Sequence, residues 1–175
     1  MQQHTNIKTK KIIVMALLLA IALTIFVIES QIPPIVPIQG VKLGLANIIT
    51  LVAMYYIGTK EAVSILLMRI VIGNIFYGQI ISFSYSLIGG ILCLIAMLIF
   101  KNIFKGIEYI PLISVIGAIA HNIGQILVAV FLINSTKIMY YLPILIISGI
   151  ITGFFTGYIV FCLSKRNIII CRKKS

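Results

Sequence analysis

The sequence predicts an all-α fold, an integral membrane bundle of six transmembrane helices with both ends of the chain in the cytoplasm. Three observations lead there. Of 175 residues, 61% are hydrophobic and 10% charged, and the mean hydropathy is +1.19, which leaves too little polar surface to cover a water-soluble globule of this size. Apolar segments recur at close to the roughly 20 residues that cross about 30 Å of hydrocarbon. The basic residues then gather on alternate connections between those segments.

Taken in order, the first apolar segment, 12–28, follows Lys8, Lys10 and Lys11. It is longer than the apolar part of a signal peptide and runs into ESQIPPIVP without a small-x-small cleavage site, so it reads as a retained helix. The second, 43–57, is short. The third and fourth, 62–82 and 83–100, almost abut, the fifth covers 112–133, and the sixth covers 141–163. No polar linker or internal repeat interrupts the series, so one membrane domain is expected at 12–163, between basic cytoplasmic tails at 1–11 and 164–175.

Placing the N-terminus inside puts Lys8, Lys10, Lys11, Lys60, Lys101, Lys105, Lys165, Arg166, Arg172, Lys173 and Lys174 on the cytoplasmic side and leaves Lys42 and Lys137 outside. That asymmetry sets the orientation and implies a multi-pass protein of the cell membrane. The net charge of +11 reports this topology and attraction to anionic lipid, and argues for no nucleic-acid partner. Cys93, Cys162 and Cys171 form no CxxC pair, so neither a disulfide framework nor a metal site is indicated, and no cofactor is expected.

One basic residue stays inside the membrane. Arg69 lies eight residues beyond Glu61, about 12 Å into the third helix, and His121 lies about 15 Å into the fifth at a similar depth. Gln125 shares the face of His121, four residues on, and Asn122 is turned about 100° from it. Glu29, Glu61 and Glu108 all read as loop residues, which leaves Arg69 to neutral acceptors such as Asn74, Asn122 and Gln125, to backbone carbonyls, or to an anion from outside. Two readings follow. Arg69 and His121 link helices by hydrogen bonds, as single polar residues in membrane helices do, or they line a pocket for an anionic or polar ligand.

Asn74, Tyr77, Gln79, Tyr85, Asn47 and Lys42 extend that level outward as a polar funnel, although each tyrosine equally suits an interfacial anchor. Pro33, Pro34, Pro37 and Gly40 make a stiff, non-helical first loop that is either a lid over the funnel or a plain connector. Gly149, Gly153 and Gly157 form a small-residue stripe for helix packing within the chain, and Ala16 and Ala20 form an AxxxA pair suited to docking a separate protein.

The stretches QIPPIVPIQGVKLGLANIITL, EAVSILLMRIVIGN, YSLIGG and GAIAHNIGQ resemble the Gx transporter family, also labelled heptaprenyl diphosphate synthase component I, over about 11–163. The six helices, the long first loop and the AxxxA pair also resemble the substrate-binding S components of energy-coupling-factor transporters. The second resemblance implies capture of a small, anionic or polar-headed ligand from the outer side, with a T component and two ATPases docked through the first helix at Ala16 and Ala20. The synthase label implies instead a membrane subunit of heptaprenyl diphosphate or quinone synthesis, partnered by a prenyl synthase. The chain contains no aspartate, hence no DDxxD pair to hold magnesium diphosphate, and no Ser/His/Asp set or Walker loop, so a non-catalytic role is expected on either reading.

Overall fold

A computed structural model of the chain describes residues 2–32, 42–77 and 80–166. The proline-rich stretch 33–41, Gln79 and the end of the C-terminal tail lie outside the described residues. Six helices form, α1 (Gln2–Gln31), α2 (Asn47–Tyr56), α3 (Thr59–Tyr77), α4 (Ile80–Ile103), α5 (Ile110–Ile133) and α6 (Leu142–Lys165), with short 3-10 turns at Ile107–Tyr109 and Thr136–Tyr141. No strand occurs among the described residues, as expected where a bilayer demands that each segment satisfy its own backbone. Pro111 and Pro143 open α5 and α6, where a missing N–H costs nothing. Asn134 in the left-handed conformation, φ 50°, closes α5.

Four helical stretches, Thr9–Gln31, Ile81–Ile103, Ile107–Ile133 and Thr136–Lys165, are long and apolar enough to cross a membrane. The other two depart from that standard for different reasons. α3 is 19 residues long but carries Lys60, Glu61 and Arg69. α2 has only ten residues, about 15 Å of helix and half a bilayer core. It also buries six of those ten, because α1, α3, α4, α5 and α6 all touch it.

Helix directions can be read from the contacts. The α6 glycines meet α5 in reverse order: a Cβ on Gly149 would lie 2.9 Å from Asn122 Nδ2, one on Gly153 2.7 Å from Val115 Cα, and one on Gly157 2.6 Å from Pro111 Cα. These antiparallel backbones touch, and only glycine fits between them. α4 and α5 are also antiparallel, with Gly124 against Gly89 at one end and Gly117 against Cys93 and Met97 at the other. α1 and α3 run parallel instead, since Lys11 pairs with Glu61 and Phe26 packs on Gly73.

These directions bring several polar ties to one end of the bundle. The Lys11–Glu61 ion pair, the Lys101 Nζ donation to the Met54 carbonyl at 2.7 Å, and the Tyr56–Ser164 hydroxyl contact at 2.5 Å all lie there. Lys60 and Lys165 adjoin those residues in sequence, so this is the lysine-rich end. Lys101 also stands over the Tyr55 ring, 4.6 Å from its centroid. A cation against the last carbonyls of α2 complements the helix dipole.

Two expectations about helix ends need revision. α1 begins at Gln2, ten residues before the apolar segment expected at 12, so Lys8, Lys10 and Lys11 of the basic tail are helical. At its other end the apolar run stops at Ile28, yet the helix continues to Gln31 and carries Glu29 inside a candidate membrane span, 4% exposed. The reading of Glu29 as a loop residue is therefore corrected, and so is that of Glu61, which lies in the first turn of α3. The Glu29 carboxylate tolerates its position because two backbone N–H groups, those of Gly44 and Leu45, donate to its Oε1.

Candidate functional site

The residues that join the buried polar centre come from four helices and the entry to α2. Gly44 turns the chain into α2 with φ +79°, a left-handed conformation suited to glycine. It also sits where a Cβ would come within 3.0 Å of both Asn47 Nδ2 and His121 Cδ2. Close passage of this glycine brings the α2 entry onto α5. Asn47 opens α2 with no side-chain cap from the residue before it, and its Oδ1 accepts a 3.1 Å hydrogen bond from Arg69 Nη2 of α3. Asn47 therefore holds Arg69, in place of the acceptors expected from Asn74, Asn122 or Gln125.

On α5, Gln125 bridges two elements. Its Oε1 accepts from the Lys42 backbone N–H at 3.3 Å, and its Nε2 lies 2.8 Å from His121 Nε2. Since Nε2 of an amide can only donate, His121 Nε2 is the acceptor and the imidazole proton sits on Nδ1. That nitrogen packs against Gly89 of α4, where a Cβ would be 2.9 Å away. A glycine at 89 thus makes room for the ring, and the hydrogen-bond chain fixes its tautomer.

Electrostatically the centre holds two basic side chains, Arg69 and Lys42, and one acidic side chain, Glu29. Arg69 and Glu29 are both 4% exposed, and no ion pair within 4.0 Å joins them; among the described residues that distance is met by Lys11 and Glu61. The Lys42 ammonium stands 3.5 Å over the Phe26 ring. Burial pulls it down to about 8 from the usual lysine range, with Glu29 drawing it back up and Arg69 pressing it further down. The charge on Lys42 therefore changes close to pH 8.

Satisfaction of the buried polar atoms is incomplete. Arg69 Nε, Asn47 Nδ2, Asn122 Oδ1 and Asn74 Oδ1 are buried without a hydrogen-bond partner, each a cost of about 1–3 kcal/mol. A cavity of about 10 Å³ beside Asn47 is lined by Gly44, Cys93, Ser114, Thr152 and Thr156 among others, which is room for about one water.

The remaining expected residues stand apart from Arg69. Asn74 donates to the Ile70 carbonyl of its own helix at 2.7 Å. Asn122 points to α6 and donates to the Leu145 carbonyl at 2.6 Å. Tyr85 is 1% exposed and packs with Ile126, Ala129, Ile138 and Leu145, which makes it part of the apolar core. Tyr77 is helical, and nothing further is described of it. Gly149, Gly153 and Gly157 face α5, whereas Ala16 and Ala20 are exposed on α1.

Sequence reasoning passed over Glu29, Gly44 and Gly89. A signal for the first existed: a buried arginine calls for a counter-charge, and Glu29 is the glutamate that directly follows an apolar run. For the two glycines no signal was available, because their role depends on what passes beside them.

Comparison with known proteins adds one finding. No curated protein and no solved structure matches the chain. The family described as heptaprenyl diphosphate synthase component I matches residues 18–163. With that match across all six helices, and four of them fit to cross a bilayer, this chain is a membrane protein that belongs to the heptaprenyl diphosphate synthase component I family.

Proposed function

We propose that the chain is the membrane-embedded substrate-binding component of an energy-coupling-factor-type transporter, taking a small anionic or polar-headed ligand from the outer side. The observation that carries this reading is the pair of unpartnered buried groups, Arg69 Nε and Asn47 Nδ2, in a centre joined by Arg69, Asn47, His121 and Gln125. A network serving only to link helices gains nothing by leaving those atoms unmatched at membrane depth. The charges of Lys42 and Arg69 exceed that of Glu29 by one, which favours an anionic head group.

The test is native mass spectrometry of the purified protein, repeated on Arg69→Gln and His121→Ala. The expected result is a bound small molecule in the parent protein that is lost or reduced in both variants. If both fold and retain the same molecule at the same occupancy, these residues are helix-linking groups and the reading is overturned.

The proposed partner surface for the T component and ATPases is the outward face of α1 at Ala16 and Ala20. Replacing both with tryptophan should abolish co-purification with those proteins while the chain still inserts; an unchanged complex would count against that surface. The family description favours a second reading, a non-catalytic membrane subunit working beside a prenyl synthase. In that case the co-purifying protein is a soluble prenyl synthase. For orientation, a cysteine at Lys137 should label from outside and one at Lys105 from inside.

A further inference from the structure

The Glu29 carboxylate occupies a place built for an anion. Gly44 and Leu45 present consecutive backbone N–H groups at the entry to α2, and both donate to Oε1 of Glu29. Successive N–H groups converging in this way form an anion-binding concavity. The concavity has a second wall, because Asn47, two residues on from Leu45, anchors Arg69, whose Nε is buried without a partner. Lys42 lies on the approach, with its backbone N–H on Gln125 and its ammonium over Phe26.

Glu29 uses this site incompletely. One carboxylate oxygen receives both N–H groups, and the carboxylate comes no closer than 4.0 Å to Arg69. A carboxylate not tethered to α1 can place one oxygen on the amide cradle and the other on Arg69, a charge-assisted arrangement stronger than a bond to amides alone. Exchange also conserves charge, since one buried anion replaces another beside the same two cations. Glu29 lies two residues from the end of α1, and α1 is the least buried of the four long apolar helices, at 17%, so a shift of this helix end disturbs few packed residues.

We propose that the Gly44–Leu45 amide cradle with Arg69 is a carboxylate-binding site held by Glu29 as an internal surrogate, and that a ligand carboxylate binds by displacing it. This deepens the binding reading given above and rests on it. Ligand entry then releases α1 from the α2 entry, so occupancy of the centre is communicated to the outward face of α1.

The experiment is rescue by added carboxylate. Glu29→Ala vacates the cradle, and thermal unfolding in detergent is followed against sodium acetate, with sodium chloride at equal ionic strength and inorganic phosphate in parallel. Acetate should raise the midpoint of Glu29→Ala by about 2–4 °C, the shift for about 1 kcal/mol in a chain of this size, and leave the parent protein unmoved. The double variant Glu29→Ala/Arg69→Gln should lose that response. A laurate arm assigns the carboxylate to a membrane lipid if its shift exceeds that of acetate, and to a small solute if it does not. Should Glu29→Ala fail to fold without added anion, purification in sodium acetate should restore the folded protein and purification in sodium chloride at equal ionic strength should not; failure in both overturns the proposal.

Equal shifts with acetate and chloride, or a response to phosphate alone, would overturn the proposal. If acetate fails while the parent protein carries a ligand lost in Arg69→Gln, the exchange is wrong and the binding reading stands. If acetate rescues but no variant changes the bound ligand, the cradle is supported and the binding reading falls.

Discussion

Between α5 and α6, three glycines let two backbones meet, with Cβ positions only 2.6–2.9 Å from atoms of the opposite helix. Around α2, by contrast, the contacts are made by side chains with charge or hydrogen-bonding capacity: Glu29, Asn47, Arg69, His121 and Gln125. Both regions are buried in the same bundle, yet they solve the membrane problem differently. In lipid there is no hydrophobic gain from bringing two apolar helices together, so α4, α5 and α6 rely on close van der Waals contact through small residues. The α1–α2–α3 side relies on polar groups that are costly unless matched. Close packing favours one rigid arrangement, while a polar set with unmatched members leaves a role for a further molecule.

The comparison would break first at Arg69. Arg69→Met should destabilise the protein by about 3–5 kcal/mol, because Glu29 stays buried without its nearby cation, and adding Glu29→Gln should restore part of that loss. Thermal unfolding of the single and double variants decides it. If the double variant is worse than the single, the two charges do not belong to one balanced centre.

Next in size is the packed side. Gly153→Ala places a methyl 2.7 Å from Val115 Cα, a clash with backbone that should cost about 1–3 kcal/mol, whereas Ile150→Ala on the exposed face of the same helix should cost much less. Comparable losses at both positions would mean that the glycine contacts are not what holds α6.

A smaller effect comes with pH and acts through Lys42. Its ammonium, pulled down to about 8 by burial, loses its proton as pH rises through that value. A bound anion favours the charged form, so anion affinity should fall by about tenfold per pH unit above about 8. Without ligand the sign reverses. The folded state holds the Lys42 proton less tightly than the unfolded chain, so stability should rise between about pH 8 and the ordinary lysine range and be lower below about 8. Titration of both quantities on one sample separates them, and affinity that is flat across pH 7–10 would remove Lys42 from the centre.

The smallest effect belongs to the Lys11–Glu61 pair, where Lys11 is 40% exposed. Breaking it with Lys11→Met should cost only about 0.2–1 kcal/mol, and less as salt is added. A loss as large as that from Arg69→Met would show that this end of the bundle, and not the buried centre, holds α1 to α3.

Much of the architecture was legible beforehand. The helices at 83–100, 112–133 and 141–163 could be read from apolar length, because lipid permits only structures that satisfy their own backbone. The His121–Gln125 contact follows from a four-residue spacing on one helix, so it too was available in advance. Glu29 was not, since an apolar run that stops at Ile28 says nothing about a helix that continues three residues further. Nor could the acceptor of Arg69 be chosen among several amides, as that depends on how α2 approaches α3.

The sequence alone therefore determined the solvent, the number of helices, the segregation of basic residues and the spacing of His121 and Gln125 on one helix face, all of which depend on composition and on spacing along one chain segment. Only the tertiary structure decided which polar groups meet. Gly44 passing against His121, Gly89 receiving the imidazole and Glu29 reaching the α2 entry are contacts between segments 15 to 77 residues apart. Their geometry is fixed by how closely the helices pack, and no local pattern encodes that.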